Sequence, residues 1–142
     1  MDTHGSLDTL SQEARSKLMS RIRGKDTKPE LRVRRLVHGL GFRYRLHVRD
    51  LPGKPDMVFR PARKVIFVHG CFWHCHPGCP RHRVPRSPER REFWKAKLDG
   101  NVARDRRNRE QLEHDGWRVL VIWECESADI DLVTEKVLRF LG

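Results

Sequence analysis

No stretch of this sequence approaches the roughly 18 consecutive apolar residues with which a helix crosses a bilayer, which argues against a membrane-spanning protein. The N-terminal segment also lacks the apolar core of a signal peptide. Met1 to Arg15 mixes acids, Ser and His, so a cytoplasmic location is expected. Internal repeats are absent, which leaves no basis for a repeat architecture. Acidic residues are in deficit: 19 Asp and Glu stand against 30 Lys and Arg, for a formal charge of +11 and a pI near 10.3. Such an excess repels itself unless an anion neutralises it. Nucleic acid is the first candidate partner and a membrane surface the second.

What is there suffices for one core in a chain of 142 residues. Residues 1–25 are polar and basic around Leu18, Met19 and Ile22 and read as an arm that orders on a partner, leaving 26–142 as a single domain. Thr27 offers an N-cap, with Pro29 and Glu30 in the first turn. Val33, Leu36, Val37 and Leu40 then recur at helical spacing up to Gly41. Phe42 to Leu46 reads as an edge strand. Asp56 to Arg60 and the apolar run Val65 to Val68 read as two strands joined by a link of hairpin length, the second buried on both faces. Ser87 and Pro88 open a helix carrying Phe93, Trp94 and Leu98, and a separate polar helix is expected from Asn101 to His114. Val119 to Ile122 is another buried strand pattern, and Leu132 to Leu141 is helical. Strands between helices, with an early antiparallel pair, predict an α/β domain with a mixed sheet covered on both faces.

The residues with chemistry are concentrated after the second strand. Cys71, Cys75 and Cys79 alternate with His69, His74, His76 and His82. In a reducing compartment such crowding fits a metal better than disulfides, free thiols beside loop histidines being the plainer alternative. Pro55-Asp56 opens one strand and Val68-His69 closes its neighbour. That is a place where a carboxylate and a main-chain carbonyl supply hard oxygen ligands to magnesium, although Pro-Asp pairs by themselves mostly make turns.

The string Phe67-Val-His-Gly-Cys-Phe-Trp-His74 closely resembles the core motif of the very-short-patch repair (Vsr) DNA mismatch endonucleases. The resemblance extends to Arg15-Ser-Lys-Leu-Met19, Leu51-Pro-Gly-Lys-Pro-Asp56, Glu92-Phe-Trp94, Asn101-Val-Ala-Arg-Asp105, Gly116-Trp-Arg-Val-Leu120 and Trp123-Glu-Cys125, covering residues 15 to 125. It implies a restriction-endonuclease-like fold and a monomer that nicks one strand 5′ of the thymine in a T:G mismatch left by 5-methylcytosine deamination. Double-stranded DNA is then the partner, with MutL and a repair polymerase as co-workers.

By the same match Asp56 is the principal magnesium ligand and the carbonyl of Val68 the second, Val standing where the family has Thr. His74 orients or deprotonates the attacking water and His69 helps hold the site or the phosphate; zinc ligation is the competing reading of both. Glu30 matches an acid near the metal, yet Thr27-Lys-Pro-Glu30 also has capping-box spacing. A structural zinc is assigned to Cys71, His76, Cys79 and Cys125. The chain departs from the family here, with one extra residue between His76 and Cys79 and with Cys75 in place of His, so a site of Cys71, Cys75, Cys79 and Cys125 is a rival. Phe72, Trp73 and Trp94 are expected to wedge between base pairs, against core packing as the bland reading. Met19 and Ile22 are expected in the minor groove, and Lys97 and Asn101 near bases or phosphates unless they belong to a solvated charged face. A related nuclease with another DNA target, and a zinc-containing DNA-binding module without catalysis, are the alternatives.

Overall fold

The structure, a computed structural model, describes residues 27–80 and 87–142. The arm proposed for residues 1–25, with Met19 and Ile22, lies outside the described residues.

The first described helix, α1 (Lys28–Gly39), begins in a reciprocal cap: the Thr27 hydroxyl accepts from the Glu30 N–H at 3.4 Å and the Glu30 carboxylate accepts from the Thr27 N–H at 3.2 Å. It ends where Leu40 caps it and Gly41 turns at φ +100°, a conformation glycine adopts without strain. Strands β1 (Met57–Phe59) and β2 (Lys64–His69) form an antiparallel pair, and β3 (Arg118–Trp123) lies parallel to β2 with His69 opposite Trp123. The sheet among the described residues is therefore mixed, in the order β1-β2-β3. Helix α2 (Pro88–His114) supplies the crossover before β3, and α3 (Ile130–Leu141) follows a short 3-10 turn at Glu124–Glu126.

The period-two alternation of strands sorts the core onto two faces. Ile66 and Val68 of β2, with Met57, Phe59 and Ile122, pack against Val33 and Val37 of α1 and Val133 and Val137 of α3. Val65 and Phe67, with Val58, face the other way onto Leu112 of α2 and Trp117. Burial on both faces explains why β2 reads as an unbroken apolar run. By contrast, in β3 only Ile122 is buried, and Val119 to Val121 are partly exposed.

Two sequence expectations change. The helices expected at 88–98 and 101–114 are one continuous helix through Gly100. A helix-interior glycine costs only about 1 kcal/mol, and burial of one residue on each side of it, Leu98 and Leu112, ties both stretches to the domain. The expected edge strand at Phe42–Leu46 reduces to one bridge, Arg45 to Val58, because His47 at φ +55° turns the chain away. No helix among the described residues is long and apolar enough to cross a membrane.

Candidate active site and metal centre

The ends of β1 and β2 set the first group of side chains. Asp56 directly precedes β1, where its N–H donates to the Ile66 carbonyl at 3.0 Å, and its carboxyl accepts from the Val68 N–H at 2.5 Å. Burial pushes the Asp56 carboxyl up from 3.8 to about 8; the Val68 hydrogen bond opposes this, the charge and hydrogen bond of Glu30 reinforce it, and Arg34 opposes it. Two carboxyl groups forced together inside a protein form a site that a cation relieves. Glu30 has a structural and a site-facing position at once. Its Oε2 accepts from the Thr27 N–H and, at 3.3 Å, from Arg34, the buried guanidinium one turn along α1.

His69 ends β2, and His74 returns to it through the turn in which the His74 N–H donates to the Gly70 carbonyl. The two imidazoles stack at 3.8 Å and 7°. Burial, then the neighbouring His74 charge, pushes the His69 pKa down to about 3, so that ring is neutral at physiological pH. His74 Nδ1 lies 2.6 Å from Asp105 Oδ2. An ionised Asp105 keeps the proton on Nδ1 and leaves Nε2 as the lone pair that can take a proton. The ligand atoms of His69, His74 and Asp105 are close enough to share an ion. Stacked parallel rings nonetheless argue against one, because an ion between the rings would lie outside both planes that contain the nitrogen lone pairs. The arrangement suits proton transfer.

Sequence reasoning left Asp105 without a role. The available signal was its spacing from Asn101: one turn apart on α2, the two hold successive parts of the same loop, Asn101 donating to the Trp73 carbonyl at 3.1 Å and Asp105 meeting His74.

The second group is Cys71, His76, Cys79 and Cys125, whose ligand atoms all lie within 4.8 Å of one another. His76 Nδ1 is 3.7 Å from Cys71 Sγ and 3.4 Å from Cys125 Sγ. Tetrahedral zinc with bonds of about 2.3 Å to sulfur and 2.0 Å to nitrogen spaces its donors by about 3.5 Å, so these residues fit such an ion. Burial pushes the Cys71 thiol up to about 12 and raises Cys125 as well. A divalent ion supplies the charge that makes such thiols ionise. Cys75 lies outside the group, its Sγ 3.9 Å from the Leu98 carbonyl.

Phe72, Trp73 and Trp94 meet edge to face at 5.2 to 5.5 Å, and Lys97 Nζ lies about 6 Å over the rings of both Trp73 and Trp94. All three rings are half-buried and belong to neither core cluster. They pack on one another beside the imidazole pair. Phe93, 61% exposed, extends the cluster to the surface.

Comparison with known proteins identifies the family. The family model of the DNA mismatch endonuclease Vsr matches residues 7–80. The DNA mismatch endonuclease Vsr of Escherichia coli is 43% identical over 131 residues, covering 92% of this chain and 82% of that protein. This chain belongs to the Vsr family of DNA mismatch endonucleases. Type II nicking enzymes are similar at comparable length: V.XorIIP of Xanthomonas oryzae is 47% identical, covering 94% of this chain and 96% of its own, and V.NmeAIP of Neisseria meningitidis is 38% identical, covering 94% of each. A Vsr-family chain is a DNA mismatch nicking endonuclease, which removes the alternative of a DNA-binding module without catalysis.

Proposed function

We propose that this endonuclease nicks the thymine strand of a T:G mismatch, the product of 5-methylcytosine deamination, on the 5′ side of the thymine. In this reading magnesium binds at the strand ends, zinc occupies the Cys/His group, and the framework is restriction-endonuclease-like. The observation that carries the reading is the buried Asp56 carboxyl against the edge of β2 at Val68, with Glu30 beside it and two stacked histidines close by.

In a strand the N–H and C=O of one residue leave by the same edge, so the Val68 carbonyl faces the side on which Asp56 accepts the Val68 N–H. Asp56 and that carbonyl would hold magnesium, which supplies Lewis-acid polarisation of the scissile phosphate and neutralises its developing charge. His74 accepts the proton of the attacking water at Nε2, while Asp105 fixes its ring and stabilises the imidazolium that forms. Neutral His69 donates a hydrogen bond to the phosphate. Glu30 orders water at the cation, anchored by Arg34. Zinc has a structural role, since four protein donors leave no open position for water.

Phe72, Trp73 and Trp94 form the wedge that enters the base stack, where a mismatched step costs less to unstack. Lys97 meets a phosphate, and Met19 and Ile22 of the arm reach the minor groove. Asn101 holds the wedge loop through the Trp73 carbonyl, which supports positioning over base reading. The enzyme acts as a monomer in the cytoplasm, and its nick presents a 3′ hydroxyl for a repair polymerase, with MutL as a further partner. A duplex series testing T:G against T:A, with flanking pairs varied and with magnesium or chelator, decides the matter. Magnesium-dependent nicking 5′ of the mismatched thymine is expected. Equal cutting of the paired duplex would assign the enzyme a different target.

A further inference from the structure

The metal group and the imidazole pair are joined by one side chain. Trp123 ends β3 directly opposite His69. Its indole stacks on the His76 ring at 4.2 Å and 13°, and meets the His69 ring edge to face at 5.4 Å and 71°. His69 in turn stacks on His74. An unbroken series of ring contacts therefore runs from a candidate zinc ligand through Trp123 to the group that faces the attacking water.

The backbone holds Trp123 in place. Its N–H donates to Glu126 Oε1 at 2.9 Å, and Glu126 is fixed by Lys136 at 2.5 Å. The next two residues complete the attachment: the Glu124 carboxylate accepts from the Cys71 N–H at 3.2 Å, and Cys125 is a member of the metal group. The other route from the metal group to His74 is the loop itself, which is anchored by Asn101 and Asp105 of α2 and has no regular structure of its own.

We infer that Trp123 is a positioning residue, the strut through which the Cys/His group holds the His69–His74 stack in register with Asp56. The inference rests on the proposed roles of those histidines. Order at the metal group sets the plane of His76; the His76 plane supports the indole face, and the indole edge limits how far His69 can tilt. A ring that tilts carries its stacked neighbour with it, and a small displacement of a reacting group is enough to slow chemistry by one to two powers of ten.

The test is a double-mutant cycle between Trp123→Leu and His76→Cys, the second keeping four donors for the ion while removing the stacked ring. Metal content, nicking kinetics and nuclear Overhauser contacts between the His69 and His74 ring protons are read for each chain. Each single variant is expected to keep about one ion, to lose kcat by about tenfold with KM nearly unchanged, and to lose the ring contacts. The double variant is expected to be no slower than either single one. Trp123→Phe, which keeps an aromatic face, recovers most of the rate. Effects that multiply, or ring contacts that survive in both variants, overturn the strut. Lost ring contacts with an undiminished rate leave the strut standing and overturn the catalytic reading of the two histidines. Should Trp123→Leu shed its ion, His76→Cys alone decides: ring contacts unchanged after its removal overturn the inference.

Discussion

Two donor sets meet near the end of β2, and they differ in how each depends on the fold. The Asp56 set is made of oxygen and is positioned by elements that the core already fixes: a strand tip, the edge of β2 and the first turn of α1. In the proposed magnesium site its protein donors would leave positions open for phosphate and water. The Cys71 set is made of sulfur and imidazole and comes from a loop and a 3-10 turn, segments outside the two core clusters. All four of its positions are protein. Loss of the first set is therefore expected to leave the chain folded, and loss of the second is not.

Removing a donor from the sulfur set has the largest expected effect. Cys71 is fully buried, and its Sγ accepts from the Cys125 N–H at 3.4 Å, so the residue ties the loop to the end of β3 even before an ion is considered. Cys71→Ser is expected to lose the ion, more than about 3 kcal/mol of stability, and with them all nicking. Metal analysis and thermal melting check this. A variant that melts like the parent while lacking the ion would erase the distinction between the sets.

Asp56→Asn is the complementary case. Nicking is expected to fall by at least about a thousandfold, while metal content in the Cys/His group and binding of DNA persist. With magnesium omitted the Asn chain is expected to be the more stable one near neutral pH. The Asp56 carboxyl is raised from 3.8 to about 8 in the folded chain, so its contribution to stability is fully present below pH 3.8 and is lost as pH rises toward 8. The melting temperature of the Asn variant minus that of the parent should therefore grow across that window and level off above it. A pH-independent difference would show that the carboxyl is not held protonated by its surroundings.

The same contrast governs how much could be read in advance. Asp56, Glu30 and Val68 sit on elements with strong local signals, a capping box and an apolar strand run, so their convergence followed from pattern and resemblance together. The choice between His76 and Cys75 was not readable from spacing, because both neighbours are ligand types. Backbone geometry separates them: Cys75 adopts φ +53°, and its thiol points to Leu98 while His76 turns to Cys71 and Cys125. Asp105 was overlooked because on a helix as polar as α2 one acid among many has no local mark, and only the tertiary contact with His74 singles it out. The unbroken course of α2 was hidden for the opposite reason: Gly100 carries a strong local signal, which burial of Leu98 before it and Leu112 after it overrides.

A smaller effect separates the proton acceptor from the group that orients it. His74→Ala is expected to lower kcat by about a hundredfold or more. Asp105→Asn keeps a hydrogen-bonding side chain at the same place and should cost about tenfold, through the lost charge and a freer tautomer. Single-turnover nicking at saturating DNA measures both. Equal losses would mean that the two act as one unit, and the pairing at 2.6 Å would then be required for the chemistry itself.

Cys75→Ser has the smallest expected effect and draws the boundary of the sulfur set most sharply. The substitution keeps size and polarity, and a serine tolerates the left-handed backbone about as well as a cysteine does. The thiol donates to the Leu98 carbonyl at 3.9 Å, to which a hydroxyl can donate in turn. Metal stoichiometry should stay at one ion in the Cys/His group, and stability should move by no more than about 0.5 kcal/mol. Nicking should stay within about twofold, since Cys75 belongs neither to the metal group nor to the Asp56 and imidazole sites. If the ion is lost instead, Cys75 rather than His76 completes the set. The indole of Trp123 would then stack on a ring with no duty toward the metal, and the rigid link between the two donor sets would have to run through the backbone of β3.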